Sequence, residues 1–152
     1  MTPEGQRRAQ TGGGTFVNGS FRNAAFNGPK DLSLWERCIT RGLPGAMFPT
    51  VYNANVRIVQ SPGVVAITYE MIHETRIIPL DGRPHPPQSV RLWSGDSRGH
   101  WEGNTLVVDT TNFSPKSNFM GAAEHLHIVE RFTRVADDTL QYEVTVDDAT
   151  TW

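Results

Sequence analysis

The sequence predicts an all-β antiparallel barrel, lipocalin-like in general architecture, of seven or eight strands with an irregular N-terminal arm and one short helix. Three observations predict it. From Val56 onward β-branched residues become frequent and polarity alternates with period two. Turn-forming residues punctuate this region at intervals of roughly 8–12 residues, the spacing of sandwiches and small barrels. Glycine and proline together number 24 of 152 residues, which favours turns over long helices.

The chain divides into an arm over residues 1–55, packed on the barrel, and a barrel over residues 56–152. In the arm, Gly12-Gly13-Gly14 marks a flexible point, and Phe16, Val17, Phe21 and Phe26 are expected to pin the segment to the domain. A short helix is expected from about Leu34 to Arg41, because Ser33 and Glu36 match a capping box and Gly42 with Pro44 supplies a stop. Cys38, the single cysteine, excludes an intrachain disulfide and is expected at a packing position of that helix.

The strands follow in order. Val56–Gln60 and Val64–Ile72 flank the turn Ser61-Pro62-Gly63, and Thr75–Leu80 reads as a continuation of the second strand before Asp81-Gly82. Prolines keep residues 83–89 out of any central strand. Val90–Trp93 and Ser97–Trp101 are short strands, Thr105–Phe113 a longer one, and Leu126–Val135 pairs with Thr139–Asp147 across Ala136-Asp137-Asp138.

Strand parity assigns the interior. Val65, Ile67, Tyr69 and Met71 share one face, whose next members are His73, Thr75 and Ile77, while Arg76 falls on the wetter face. Leu126, Ile128, Glu130 and Phe132 share another, which sets Glu130 among apolar neighbours, and the partner strand presents Leu140, Tyr142, Val144 and Val146 as its inner face. A carboxyl in apolar surroundings without a partner has a raised pKa and suits proton transfer near neutrality. His73 and Glu130 are therefore the candidate catalytic pair, with Tyr69, Trp93, Trp101 and Tyr142 shaping the walls of a ligand pocket.

The lead function is a small-molecule-binding barrel, with cofactor-free acid–base catalysis (isomerisation, cyclisation or hydration) if it is an enzyme. Two alternatives stay open. His125 and His127 lie two apart before Glu130, a His-x-His spacing akin to cupins that suits a divalent transition metal, although Glu130 has the opposite parity. The other alternative is a non-catalytic carrier or interaction protein, and a homodimer is compatible with any of these readings.

Gly95–Gly103 lacks the context of a nucleophile elbow or phosphate loop and reads as a tight corner. A net charge of −2 gives no electrostatic case for nucleic acid or an anionic membrane. No apolar run approaches the ~20 residues of a membrane-spanning helix, and no signal peptide precedes the arm as written.

The blocks Tyr69–Ile78, Asp81-Gly82-Arg83-Pro84-His85, Gly95–Val108 and Glu130-Arg131-Phe132 carry a family resemblance. Over about residues 56–152 the chain resembles a large group of uncharacterised, usually exported bacterial proteins with Asp-Gly-Arg-Pro-His and Gly-Asp-Ser-Arg-Gly-x-Trp-Glu-Gly blocks. The resemblance implies an exported or periplasmic protein and carries no activity. Members of the group commonly begin with a signal peptide and continue past the position matching Trp152, and this chain departs from them at both ends.

Overall fold

Two antiparallel sheets and one α-helix make up the computed structural model, which describes residues 1–11, 27–29, 32–50, 52–117 and 119–152. The first sheet holds β1 (Val56–Ser61), β2 (Val64–Tyr69) and β3 (Thr75–Pro79) in that order. The second holds β4 (Asp96–Glu102), β5 (Thr105–Thr111), β6 (His127–Ala136) and β7 (Thr139–Asp147), again in chain order. The fold is all-β, as the period-two pattern requires, and its hydrogen-bonded ladders form two sheets.

Each hairpin follows from local chemistry. Gly63 and Gly103 take the left-handed backbone (φ 74 and 61) that the tight turns between β1 and β2 and between β4 and β5 demand. In place of a strand, Val90–Trp93 supplies one isolated bridge, from Leu92 to Phe113. The prolines at 84, 86 and 87 leave no ladder donors there, so the chain crosses to the second sheet as an irregular segment.

The sheets close on one another through their inward faces. Val65, Ile67 and Ile78 of the first pack with Leu106, Val108, Ile128 and Phe132 of the second. Gly99 makes a close approach: a Cβ there would lie 2.7 Å from Leu80 and 2.8 Å from Ile78, so its bare backbone lets Ile78 of β3 and the following Leu80 settle on β4.

The N-terminus departs from expectation, because Pro3–Thr11 is a helix, α1. Its signals are local. The Thr2 hydroxyl accepts the Gly5 N–H at 3.0 Å as an N-cap, Pro3 occupies the first helical position, and Glu4 pairs with Arg7 and Arg8. Tertiary bonds hold this polar helix: Thr2 N–H donates to the Thr151 carbonyl at 2.7 Å, and Arg8 donates to the Thr150 hydroxyl at 2.8 Å.

At Ser33 the capping box forms, with reciprocal bonds of 2.8 and 3.1 Å to Glu36. The expected helix over 34–41 nevertheless stops after a single turn, since Cys38 adopts φ 54 and is exposed rather than packed. The flexible triplet Gly12–Gly14 and the expected anchors Phe16, Val17, Phe21 and Phe26 lie outside the described residues. Among the described residues no helix is long and apolar enough to cross a membrane.

Candidate functional site

Residues 70–74 decide what faces the interior. The strand begun at Val64 does not run through to Leu80; it ends at Tyr69 and folds back, and β3 returns alongside β2. The reversal uses left-handed backbone at two consecutive residues, Ile72 (φ 67) and His73 (φ 59), an uncommon conformation for a β-branched side chain. It is closed by the Tyr69 N–H donating to the Glu74 carbonyl at 2.9 Å. The Glu74 carboxylate ties the loop down, accepting from the Thr40 hydroxyl at 2.7 Å and from the Ser94 hydroxyl.

Parity is therefore reversed after the loop. Arg76 stands opposite Ile67 and shares its inward face, so Arg76 and Ile78 are buried while Thr75 and Ile77 are exposed. His73, expected inside, is instead an exposed loop residue. The enclosed space shared by His73 and Glu130, on which the acid–base pair depended, is not formed.

Glu130 is fully buried on β6, and its partner is Arg76. The guanidinium grips the carboxylate with both terminal nitrogens, Nη1 to Oε2 and Nη2 to Oε1 at 3.2 Å, and the Tyr142 hydroxyl donates to Oε1 at 2.8 Å. Arg76 comes from the first sheet and the other two from the second, so the cluster bridges the sheets.

Electrostatics follow from this enclosure. Burial by itself lowers the affinity of the Arg76 guanidinium for its proton, but Glu130 together with Tyr69 and Tyr142 outweighs it and the net shift is upward. Tyr142 is pushed far above the usual phenol range by burial and by the adjacent Glu130 carboxylate. Tyr69 is raised as well, chiefly by burial, with Arg76 opposing and Glu130 and Glu74 adding. Two polar atoms of the cluster, the Tyr69 hydroxyl and the Arg76 Nε, are buried without a hydrogen-bond partner.

One row toward the open end of the sheets lies a groove of about 710 Å³. Its floor is the buried Ile67, Leu106 and Phe132, and its walls are Ile58 of the edge strand β1, Trp101 of β4 and Leu140 of β7. Asn104, Arg134, Asp137 and Asp138 give it a polar rim. Trp101 has the inward parity of Ser97 and Gly99 but stands at the end of β4, where it stays 46% exposed over the groove. Register explains how the groove abuts the cluster. Ile67 is the cross-strand partner of Arg76, and the Phe132 ring packs on Tyr142 with centroids 5.0 Å apart.

The remaining expected wall residues are placed differently. Tyr69 and Tyr142 belong to the polar cluster, and Trp93 lies in the irregular segment before β4, its carbonyl accepting from Ser117 at 2.5 Å. Trp101 alone of the four lines the groove.

On the outer face of the second sheet a chain of side chains crosses three strands. His85 meets Asp96 through Nδ1 at 2.7 Å and Asp109 through Nε2 at 2.9 Å, Asp109 meets His127 Nε2 at 2.7 Å, and Arg98 meets Asp96 at 3.0 Å. This chain pins the proline-rich segment to β4, β5 and β6. The expected His125–His127 pair does not assemble, because β6 begins at His127. His125 sits in the preceding turn, 3.6 Å from Glu124. Among the described residues no group of three or more His, Cys, Asp or Glu side chains is arranged to hold a metal ion.

Arg76, His85, Asp96 and Asp109 are the site residues that sequence reasoning missed. Glu70–Glu74 contains none of the Gly, Pro or Asn that announce a reversal, so parity carried past it misplaces Arg76. For the outer chain a signal existed: His85 and Asp96 stand in the distinctive blocks Asp81–His85 and Gly95–Val108. No protein-family model, curated protein or solved structure matches the chain.

Proposed function

We propose that the protein binds a small apolar or aromatic molecule in the groove between β1 and the β6–β7 hairpin. The two sheets then act as the walls of a lipocalin-like barrel whose seam is open at this end. The observation that carries the reading is the groove itself, a concavity of about 710 Å³ with a buried apolar floor and an exposed Trp101 beside it. That volume falls in the range of roughly 300–1,000 Å³ typical of small-molecule sites. An exposed indole beside Leu140 and Ile58 offers a stacking surface that a guest would remove from water, which supplies the driving force for binding.

The reading is one of binding, because the acid–base pair that would have argued for catalysis does not come together. The interior carboxylate is held by a guanidinium, and a bidentate charged pair of this kind is a positioning and folding element.

Titration with N-phenyl-1-naphthylamine, a neutral dye that brightens in apolar surroundings, tests the proposal. Saturable binding in the micromolar range, weakened about tenfold or more by Trp101→Ala and unchanged by Trp93→Ala, is the expected result. Binding that is unsaturable, or indifferent to Trp101, sinks it.

A further inference from the structure

We infer that the groove's ligand carries a neutral oxygen acceptor, a carbonyl or an ether, that reaches past the apolar floor to the Arg76 Nε–H and the Tyr69 hydroxyl. This rests on the groove being a binding site, and it names the chemistry of what enters.

A guanidinium has five N–H donors, and Glu130 engages the terminal nitrogens only, leaving Nε buried without a partner. The Tyr69 hydroxyl, on a residue 3% exposed, is likewise buried and unpartnered. Leaving two such atoms unmatched costs on the order of the desolvation of each group, so a guest that satisfies both gains from both. Both unmatched atoms belong to residues that neighbour the groove-lining Ile67 in the sheet: Arg76 pairs with it across the ladder, and Tyr69 is two residues along β2 on the same face. At ~3.3 Å per strand residue the backbones of Ile67 and Tyr69 are about 7 Å apart, a spacing on the scale of a short side arm on an aromatic body.

Charge decides between a neutral acceptor and an anion. Arg76 and Glu130 already cancel, so a carboxylate or phosphate would bring an uncompensated charge into the interior. Both unmatched groups can donate, so the guest must accept.

Three matched probes test this: 2-ethylnaphthalene, 2-acetylnaphthalene and 2-naphthoate, titrated against the intact chain by quenching of Trp101 fluorescence, with Trp101→Phe as the blank. The ketone is the more water-loving of the two neutral probes, so apolar transfer alone ranks it second. The inference predicts that it binds about tenfold or more tighter than the hydrocarbon, and that naphthoate binds weakest. Tyr69→Phe, which deletes one unpartnered oxygen and leaves the ring, is expected to erase most of the ketone's advantage while leaving the hydrocarbon unchanged. Should that variant fail to fold, the carbonyl stretch of the bound ketone gives a second readout: it moves to lower wavenumber in a site that donates to it. Equal binding of hydrocarbon and ketone, or an unshifted carbonyl, overturns the inference while leaving the groove a binding site. Absence of binding by all three overturns both.

Discussion

Removing the carboxylate at 130 tests the central packing device of the fold. Glu130→Met leaves the Arg76 guanidinium, itself 5% exposed, charged and unpaired between the sheets. Two ion-paired hydrogen bonds from Arg76 and one from Tyr142 disappear together. Breaking one partner of a buried pair costs about 3–5 kcal/mol, roughly a fifth or more of the ~5–15 kcal/mol that holds a domain folded. At 2–4 °C per kcal/mol for a chain of this size, the thermal midpoint is expected to fall by roughly 6–20 °C.

Arg76→Met is expected to cost a similar amount, because it strands Glu130 with only the Tyr142 hydroxyl. The double variant replaces the pair with two apolar side chains and restores most of the loss, since it pays no desolvation penalty. Urea unfolding of the four proteins, followed by far-ultraviolet circular dichroism, gives the coupling energy from the cycle. A coupling near zero, with each single change costing under about 1 kcal/mol and the two simply adding, would refute the buried pair as the bridge between the sheets.

Three further outcomes are expected. Gly99→Ala places a methyl 2.7 Å from Leu80 and 2.8 Å from Ile78, so it should destabilise by about 1–3 kcal/mol through overpacking, whereas Gly63→Ala meets nothing within 4 Å and acts through its positive φ alone; urea midpoints compare them. Tyr69 and Tyr142 both have folded pKa values raised above that of a free phenol, so the stability they contribute is complete below about pH 10 and is lost as pH rises beyond it, where the unfolded chain ionises first. Alkaline unfolding should therefore show a steep fall above that pH, and Tyr142→Phe should flatten it. His85→Ala removes the contacts to Asp96 and Asp109 that pin the proline-rich segment, and amide exchange at Gln88–Leu92 should accelerate while exchange in β6 and β7 stays slow.

By itself the sequence determined the all-β class, the strands β4 to β7 to within a few residues, and the burial of Glu130. These are local properties: burial alternates along β6 from His127 to Thr133 and along β7 from Gln141 to Asp147, and Asp137-Asp138 turns the chain between them where polarity says it should. The helix at Pro3–Thr11 was legible in Thr2, Pro3 and Glu4, yet a polar surface conceals a helix that is held by contacts to Thr150 and Thr151 rather than by an apolar stripe.

Tertiary structure alone decided which charged groups meet. The reversal at Glu70–Glu74 is tied down by Thr40 and Ser94 binding Glu74 from distant parts of the chain, and no turn residue announces it. Because side-chain direction in a strand has a period of two, that one unannounced loop exchanges the faces of β3, leaving His73 outward in the loop and turning Arg76 in against Glu130.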